Sequence, residues 1–174
     1  MIPRVGAEAP SRADIEELLD LAVRAPNHHR TEPWRFYVVQ GDERDRLARA
    51  IADELVDSKG AEPDAALEEG RTKAARAPVL VVFTAVPSDD PKVVEQEEIA
   101  SVAMAMENFL IGAHAKGLGA MLRTGAAAYH PAIAGHLDLA AGEKVVGIVY
   151  LGPPAADRAL TERAPAADKT VWLG

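Results

Sequence analysis

The chain reads as one α+β domain, and three features point there. Val79-Leu80-Val81-Val82-Phe83-Thr84-Ala85 is apolar at successive positions, the pattern of a strand covered on both faces. Residues 36–39 and 145–151 are two more short apolar strands, far from it and from each other in sequence. Between the strands lie helix-patterned segments, the longest running from about Val94 to Lys116 and dense in Ala, Met and Gly. A length of 174 residues suits a single domain spanning 1–174 with a fair-sized core.

Met1 to Pro10 lacks periodicity and should run extended. Ser11 can cap a helix, with Asp14 in its first turn favoured by the helix dipole. Ile15, Leu18, Leu19, Ala22 and Val23 then recur at helical spacing and predict an amphipathic helix ending near Val23. The connection that follows, 24–36, holds two Pro, two His, three Arg and Trp34. Pro26 and Pro33 push Ala25 and Glu32 toward extended backbone, leaving a short rigid bow of basic and hydrogen-bonding groups. Such a bow suits a planar, polar ligand that carries negative charge; the alternative is a loop pinned simply by Trp34 packing inward.

Gly41 stops the strand 36–39, and Asp42 is expected to cap a helix whose apolar face is Leu47, Ile51 and Leu55. Residues 58–76 are polar, with Gly60 and Pro63, and predict a loop and a surface helix. In the long helix, Glu95, Glu97 and Glu98 read as a solvated first turn that complements the dipole. Ala100, Ala103, Ala105, Gly112 and Ala113 would allow another helix to come close, and apolar residues nearly all round the helix imply a subunit interface. Gly117 suits a left-handed C-terminal cap, and residues 120–122 form a short strand into Arg123-Thr124-Gly125. Pro131 starts a short helix through Leu137. The tail 153–174 is too rich in Ala and Pro for a core of its own, yet ends in an apolar tip, Thr170-Val171-Trp172-Leu173, that must dock elsewhere.

A formal charge of −8 argues against a nucleic-acid partner, and without cysteine there are no disulfides, thiolate metal sites or thiol catalysis. No apolar run approaches a membrane span of about 20 residues. Met1-Ile2-Pro3-Arg4 does not open a secretory leader, so a cytoplasmic location is expected. No nucleophile elbow is present. His28-His29 are adjacent, and His114, His130 and His136 recur with no ligand-like spacing, so no metal site is expected. Gly117-Leu118-Gly119 is a fragment of a dinucleotide fingerprint without its preceding strand. A chain this poor in reactive groups suits a bound cofactor that supplies the chemistry.

Ala25-Pro26-x-His28, a polar residue, then Pro33-Trp34-x-Phe36 before an apolar strand resembles the first flavin-binding segment of the FMN-dependent nitroreductase family. Residues 106–119 resemble that family's central helix with its glycine exit, Arg123-Thr124-Gly125 follows at the family's spacing, and Val145 to Pro153 is similar to its last core strand. The resemblance runs from Pro10 through nearly all of the chain. It implies a mostly antiparallel central sheet with flanking helices, and a strand-exchanged homodimer whose 153–174 arm adds a strand to the partner's sheet. It also implies two FMN sites at the interface. Arg24 near the ribityl-phosphate and His28 near the isoalloxazine would come from one subunit; Leu122, Arg123 and Thr124 would come from the other. The backbone N–H of Thr124 or Gly125 would approach flavin N5, and Arg163 would meet the phosphate.

Two departures accompany the resemblance. Glu32 stands where many members have Gln. Aligning Arg4 with a later family arginine places the family's opening Arg-Arg-Ser at and ahead of Met1, so weak FMN retention is expected. The activity implied is an NAD(P)H-dependent flavin oxidoreductase of ping-pong type, acting on a nitroaromatic, quinone or similar small-molecule acceptor. The alternatives are a dehalogenase or dehydrogenase on the same scaffold, or a non-catalytic flavin-binding or structural dimer.

Overall fold

A computed structural model describes residues 2, 4–156 and 162–173; Met1, with the alignment of the family triplet onto it, lies outside the described residues, as do Pro3, 157–161 and Gly174. The elements in order are α1 (Arg12–Ala22), β1 (Trp34–Gln40), α2 (Arg44–Lys59), α3 (Pro63–Ala74), β2 (Val79–Ala85), α4 (Glu95–Ala115), β3 (Gly119–Arg123), α5 (Ala126–Tyr129), α6 (Ala132–Leu137) and β4 (Lys144–Gly152). The sheet order is β1-β2-β4-β3, with every pair antiparallel.

β2 explains the layering. Its alternate residues point to opposite faces. Val79, Val81 and Phe83 enter a core shared with α1 and α4, while Leu80 and Val82 enter a second core with α2, α5 and α6. All seven residues of β2 are buried, as the unbroken apolar run requires. Phe36, Phe83 and Phe109 tie β1, β2 and α4 in two edge-to-face contacts, with centroids 5.1 and 5.4 Å apart.

Ser11 caps α1 as expected, its hydroxyl accepting from the Asp14 N–H. Asp42 does not cap α2: Gly41–Glu43 first make one 3₁₀ turn, and no side chain bonds the helix start. The polar stretch 58–76 does contain a surface helix, but α3 is fixed by more than its polarity suggested. Ala66, Gly70 and Ala74 form a buried stripe against α2, and a Cβ on Gly70 would lie 2.2 Å from the Ala48 carbonyl oxygen. The two helices therefore touch backbone to backbone.

Glu98 corrects the reading of α4's first turn. It is 1 % exposed, its Oε2 accepts from the Ser88 N–H at 2.6 Å, and its Oε1 has no partner among the described residues. Glu98 sits on the core-facing side with Val102, Ala105 and Phe109, so helical phase overrides the dipole reading there. Glu95 and Glu97 are exposed. The small residues of α4 also divide. Ala105, Gly112 and Ala113 are buried within the chain, Gly112 against Leu18 and Leu21 of α1, whereas Ala100 and Ala103 are exposed.

The opening segment runs beside the end of β4. Val5 bridges Pro154, Gly6 donates to Pro153, and Ile2 donates to the Ala120 carbonyl on β3. This pins the root of the tail. Beyond it, 162–173 makes one 3₁₀ turn at Ala166–Lys169 and no strand within its own chain; Val171, Trp172 and Leu173 are 80, 91 and 94 % exposed. No helix among the described residues is long and apolar enough to cross a membrane.

Candidate functional site

The bow between Pro26 and Pro33 is held in an uncommon shape. His28–Arg30 forms a 3₁₀ turn, and His29, Arg30 and Glu32 have φ of 62, 54 and 49°. Left-handed backbone at a non-glycine residue costs on the order of 1–3 kcal/mol, and such strain concentrates where a loop must present groups in a fixed way. Glu32 is thus left-handed rather than extended. The reason is local: its N–H donates to Asn27 Oδ1 at 2.8 Å, which closes the bow. Trp34 is buried, so the pinning that the sequence offered as an alternative is also present.

His28 is exposed, with its ring 3.9 Å from that of His29. It lines a groove of about 460 Å³ with Pro26, Asn27, Glu97, Ala100, Ser101 and Met104. Arg24 is exposed on the same loop but does not line that groove.

The second group of residues sits at the far edge of the sheet. β3 is an edge strand, and Leu122 and Arg123, being successive residues of it, point to opposite faces. Leu122 lies on the α4 side, where Gly147 makes room for it: a Cβ there would meet Leu122 Cδ1 at 2.9 Å and Met106 Sδ at 3.0 Å. Arg123 lies on the other side, its guanidinium carbon 5.8 Å from the centre of the Tyr150 ring. A ligand lying along the strand's edge could meet both; one confined to a single face could not.

Beyond the strand, Gly125 has φ 101°, a conformation that favours glycine. Thr124 and Gly125 are exposed, and among the described residues their N–H groups donate to no protein acceptor. Two free amide donors beside a ring-backed arginine form a turn suited to an anionic or carbonyl-bearing ligand. Leu122 also lines a groove of about 450 Å³ with Ile2, Glu107, Ile111, His114 and Arg163. Both grooves fall within the usual size of ligand clefts, about 300–1,000 Å³.

The structure therefore brings Leu122 and Arg163 into one groove and places His28 in another. α4 forms a wall of each. Arg123, Thr124 and Gly125 adjoin the first group through β3, and Arg24 adjoins His28 through the loop. The two sets do not meet within one chain. Tyr150, Asn27 and Ser101 were not singled out from sequence. Tyr150 sits in an ordinary strand pattern, and Ser101 is one small residue in a helix of small residues.

Burial, above all, holds the Tyr150 phenol above the usual tyrosine range, with Arg123 pulling weakly the other way. The folded state thus retains the proton more tightly than the unfolded chain. Its contribution to stability is complete below about pH 10 and is lost as the pH rises through the raised value. Tyr150→Phe keeps the ring beneath Arg123 and should lose less stability than wild type above pH 10. Alkaline melting curves check this, and identical losses in the two proteins would contradict it.

Among the described residues no group of three or more His, Asp or Glu is placed to hold a metal. The family model described as "Nitroreductase family" matches residues 5–153. "Putative NAD(P)H nitroreductase YdjA" of Escherichia coli (strain K12) is 29 % identical over 151 residues, covering 87 % of this chain and 81 % of its own length. Among solved structures, a nitroreductase-like family protein from Bacillus cereus is 25 % identical, with a TM-score of 0.83 over 99 % of this chain and 90 % of that one. The FMN and NADPH-dependent nitroreductase NfnB of sphigopyxis sp. strain HMH is 16 % identical and shares the fold, with a TM-score of 0.78 over 99 % of this chain and 94 % of that one.

Proposed function

The chain belongs to the nitroreductase family, and from that premise we propose that it is an FMN-dependent NAD(P)H oxidoreductase, working as a homodimer with a flavin site between subunits. The family match and the NAD(P)H nitroreductase relatives support an oxidoreductase; the turn at Arg123-Thr124-Gly125 carries the finer reading. Its half-buried arginine and two amide donors, unpaired among the described residues, suit a flavin's polar edge, with the apolar Leu122 beside them and Arg163 in the adjoining groove.

When bound, FMN supplies two-electron chemistry, taking hydride at N5 from NAD(P)H and passing reducing equivalents to a nitroaromatic, quinone or similar acceptor. The chain's part is to hold and orient. The N–H of Thr124 or Gly125 would donate toward N5, where charge changes during reduction. Arg123, steadied on Tyr150, and Arg24 offer cationic donors toward the ribityl-phosphate. His28 would lie near the ring, and Leu122 would lie along it. Titrating FMN into the protein with fluorescence quenching tests the reading; no quenching at micromolar flavin would count against it.

The homodimer is supported by what the single chain leaves bare. Glu97, Ala100, Met104, Glu107, Ile111 and His114 follow one another at spacings of three and four along α4, and all are exposed. That spacing puts Ala100, Met104 and Ile111 on one face, where a second helix could cover them, with Glu97, Glu107 and His114 beside them. The first half of this stripe lines the His28 groove and its second half the Leu122 groove, so a second copy seated on it would bring the Arg123 group of one chain toward the His28 group of the other. The exposed tip 171–173 would dock on the same partner, since leaving this much apolar surface in water costs about 25 cal/mol per Å². Sedimentation should show a dimer at micromolar concentration, and Ile111→Glu should shift it to monomer and weaken FMN binding together. A stable wild-type monomer would contradict the arrangement.

A further inference from the structure

We propose that Asn27 is the positioning residue of the flavin loop, setting the stance of His28 by closing the bow and anchoring it to α4 through Ser101. This rests on the reading that His28 borders the flavin. Asn27 uses all four hydrogen-bonding positions of its amide. Oδ1 accepts from the Glu32 N–H at 2.8 Å and from the Thr31 hydroxyl at 3.3 Å. Nδ2 donates to Thr31 Oγ1 at 3.2 Å and reaches Ser101 Oγ at 3.4 Å. Ser101 is 2 % exposed and donates in turn to the Glu97 carbonyl at 2.9 Å, so the link ends in the backbone of α4.

Within the bow, among the described residues, Asn27 makes more side-chain hydrogen bonds than any other residue. His29, Arg30 and Glu32 all hold left-handed backbone, which a free hexapeptide between two prolines would leave. The Glu32 N–H is turned inward to Asn27, and the Asn27–Thr31 pair is reciprocal, so one side chain spans the hexapeptide from its first residue to its last. His28 follows Asn27 directly and leans on the ring of His29, whose backbone is left-handed in the closed loop. The same amide also ties the loop to α4 beside Glu97, Ala100 and Met104, the exposed stripe on which the proposed partner would sit. Cofactor loop and subunit seam thus share one small polar contact.

The test uses the full chain and has an arm that needs no flavin. Amide exchange at Glu32, followed by NMR, should run about tenfold faster or more in Asn27→Ala, the change expected when one well-made hydrogen bond is lost. Asn27→Asp keeps the acceptor and should restore protection, and His28→Ala should leave it unchanged. In the second arm, FMN titration should show Asn27→Ala about tenfold weaker than wild type, with an altered visible circular dichroism of the bound flavin, and Ser101→Ala should show a smaller loss. Unchanged Glu32 exchange in Asn27→Ala overturns the clamp. Faster exchange with wild-type affinity and an unaltered flavin spectrum overturns its role in positioning. If wild type itself binds no FMN, the flavin reading fails, and the exchange arm alone decides whether Asn27 holds the bow.

Discussion

Arg123→Ala should weaken FMN binding by about 10- to 150-fold, while Arg30→Ala changes it little. The first figure is the loss of one charge-assisted hydrogen bond, about 1.5–3 kcal/mol. The second is the value of an exposed charge, roughly 0–1 kcal/mol. The contrast comes from their surroundings. Arg123 is half-buried at the end of an edge strand, with the Tyr150 ring 5.8 Å beneath it, so its guanidinium is held before any ligand arrives. Arg30 is exposed in the bow, with no ring or carboxylate against it among the described residues. Fluorescence titrations of the two variants decide the matter, and equal dissociation constants would remove Arg123 from the site.

Gly70→Ala should lower the melting midpoint by about 4–8 °C, an effect opposite to the usual one. Alanine in a helix interior normally gains about 1 kcal/mol over glycine. Here the new Cβ would sit 2.2 Å from the Ala48 carbonyl oxygen and 3.1 Å from its carbon, both backbone atoms that no rotamer change can move. An approach of 2.2 Å to backbone places the cost of separating α2 from α3 at the upper end of the usual overpacking range, about 3 kcal/mol, and disturbs the packing of Ala52 and Ala66 around it. A net loss near 2 kcal/mol corresponds to that midpoint shift in a chain of this size. Gly112→Ala is the control. The nearest atoms to its Cβ would be side-chain ones, Leu21 Cδ1 at 2.7 Å and Leu18 Cδ2 at 3.0 Å; Leu21 is 46 % exposed and can turn away, and buried Leu18 need give only a few tenths of an ångström, so the loss should be smaller than for Gly70→Ala. Circular dichroism melts of both variants make the comparison, and a wild-type midpoint for Gly70→Ala would mean that the helices lie further apart.

How far the residues themselves announced this arrangement depends on the kind of signal. β2 was legible because burial on two faces leaves no polar position, and α1 because Ser11 and Asp14 sit where a helix start needs them. The resemblance carried at 25–36 and 106–125 pointed to the family that the chain belongs to. Asp42 misled because a 3₁₀ turn can begin where an N-cap is anticipated, and nothing in Gly41-Asp42-Glu43 distinguishes them. Glu98 misled because three glutamates in a first turn look alike until helical phase assigns one to the core. The contact of Gly70 with Ala48 was hidden for another reason: sequence shows a glycine but not the carbonyl facing it. Asn27 and Tyr150 stayed silent because their roles lie in what they touch, in α4 and β3, far away along the chain.

The measurement that bears most directly on the central claim is anaerobic reduction of the FMN-loaded protein by NADH and by NADPH. The flavin absorbance should bleach on addition of at least one of them and return when a quinone or nitroaromatic is added. Arg123→Ala should bleach to the same end point once saturated with FMN, because it holds the cofactor rather than reacting. Bound flavin that neither nicotinamide bleaches would contradict the oxidoreductase reading and leave a flavin-binding dimer in its place.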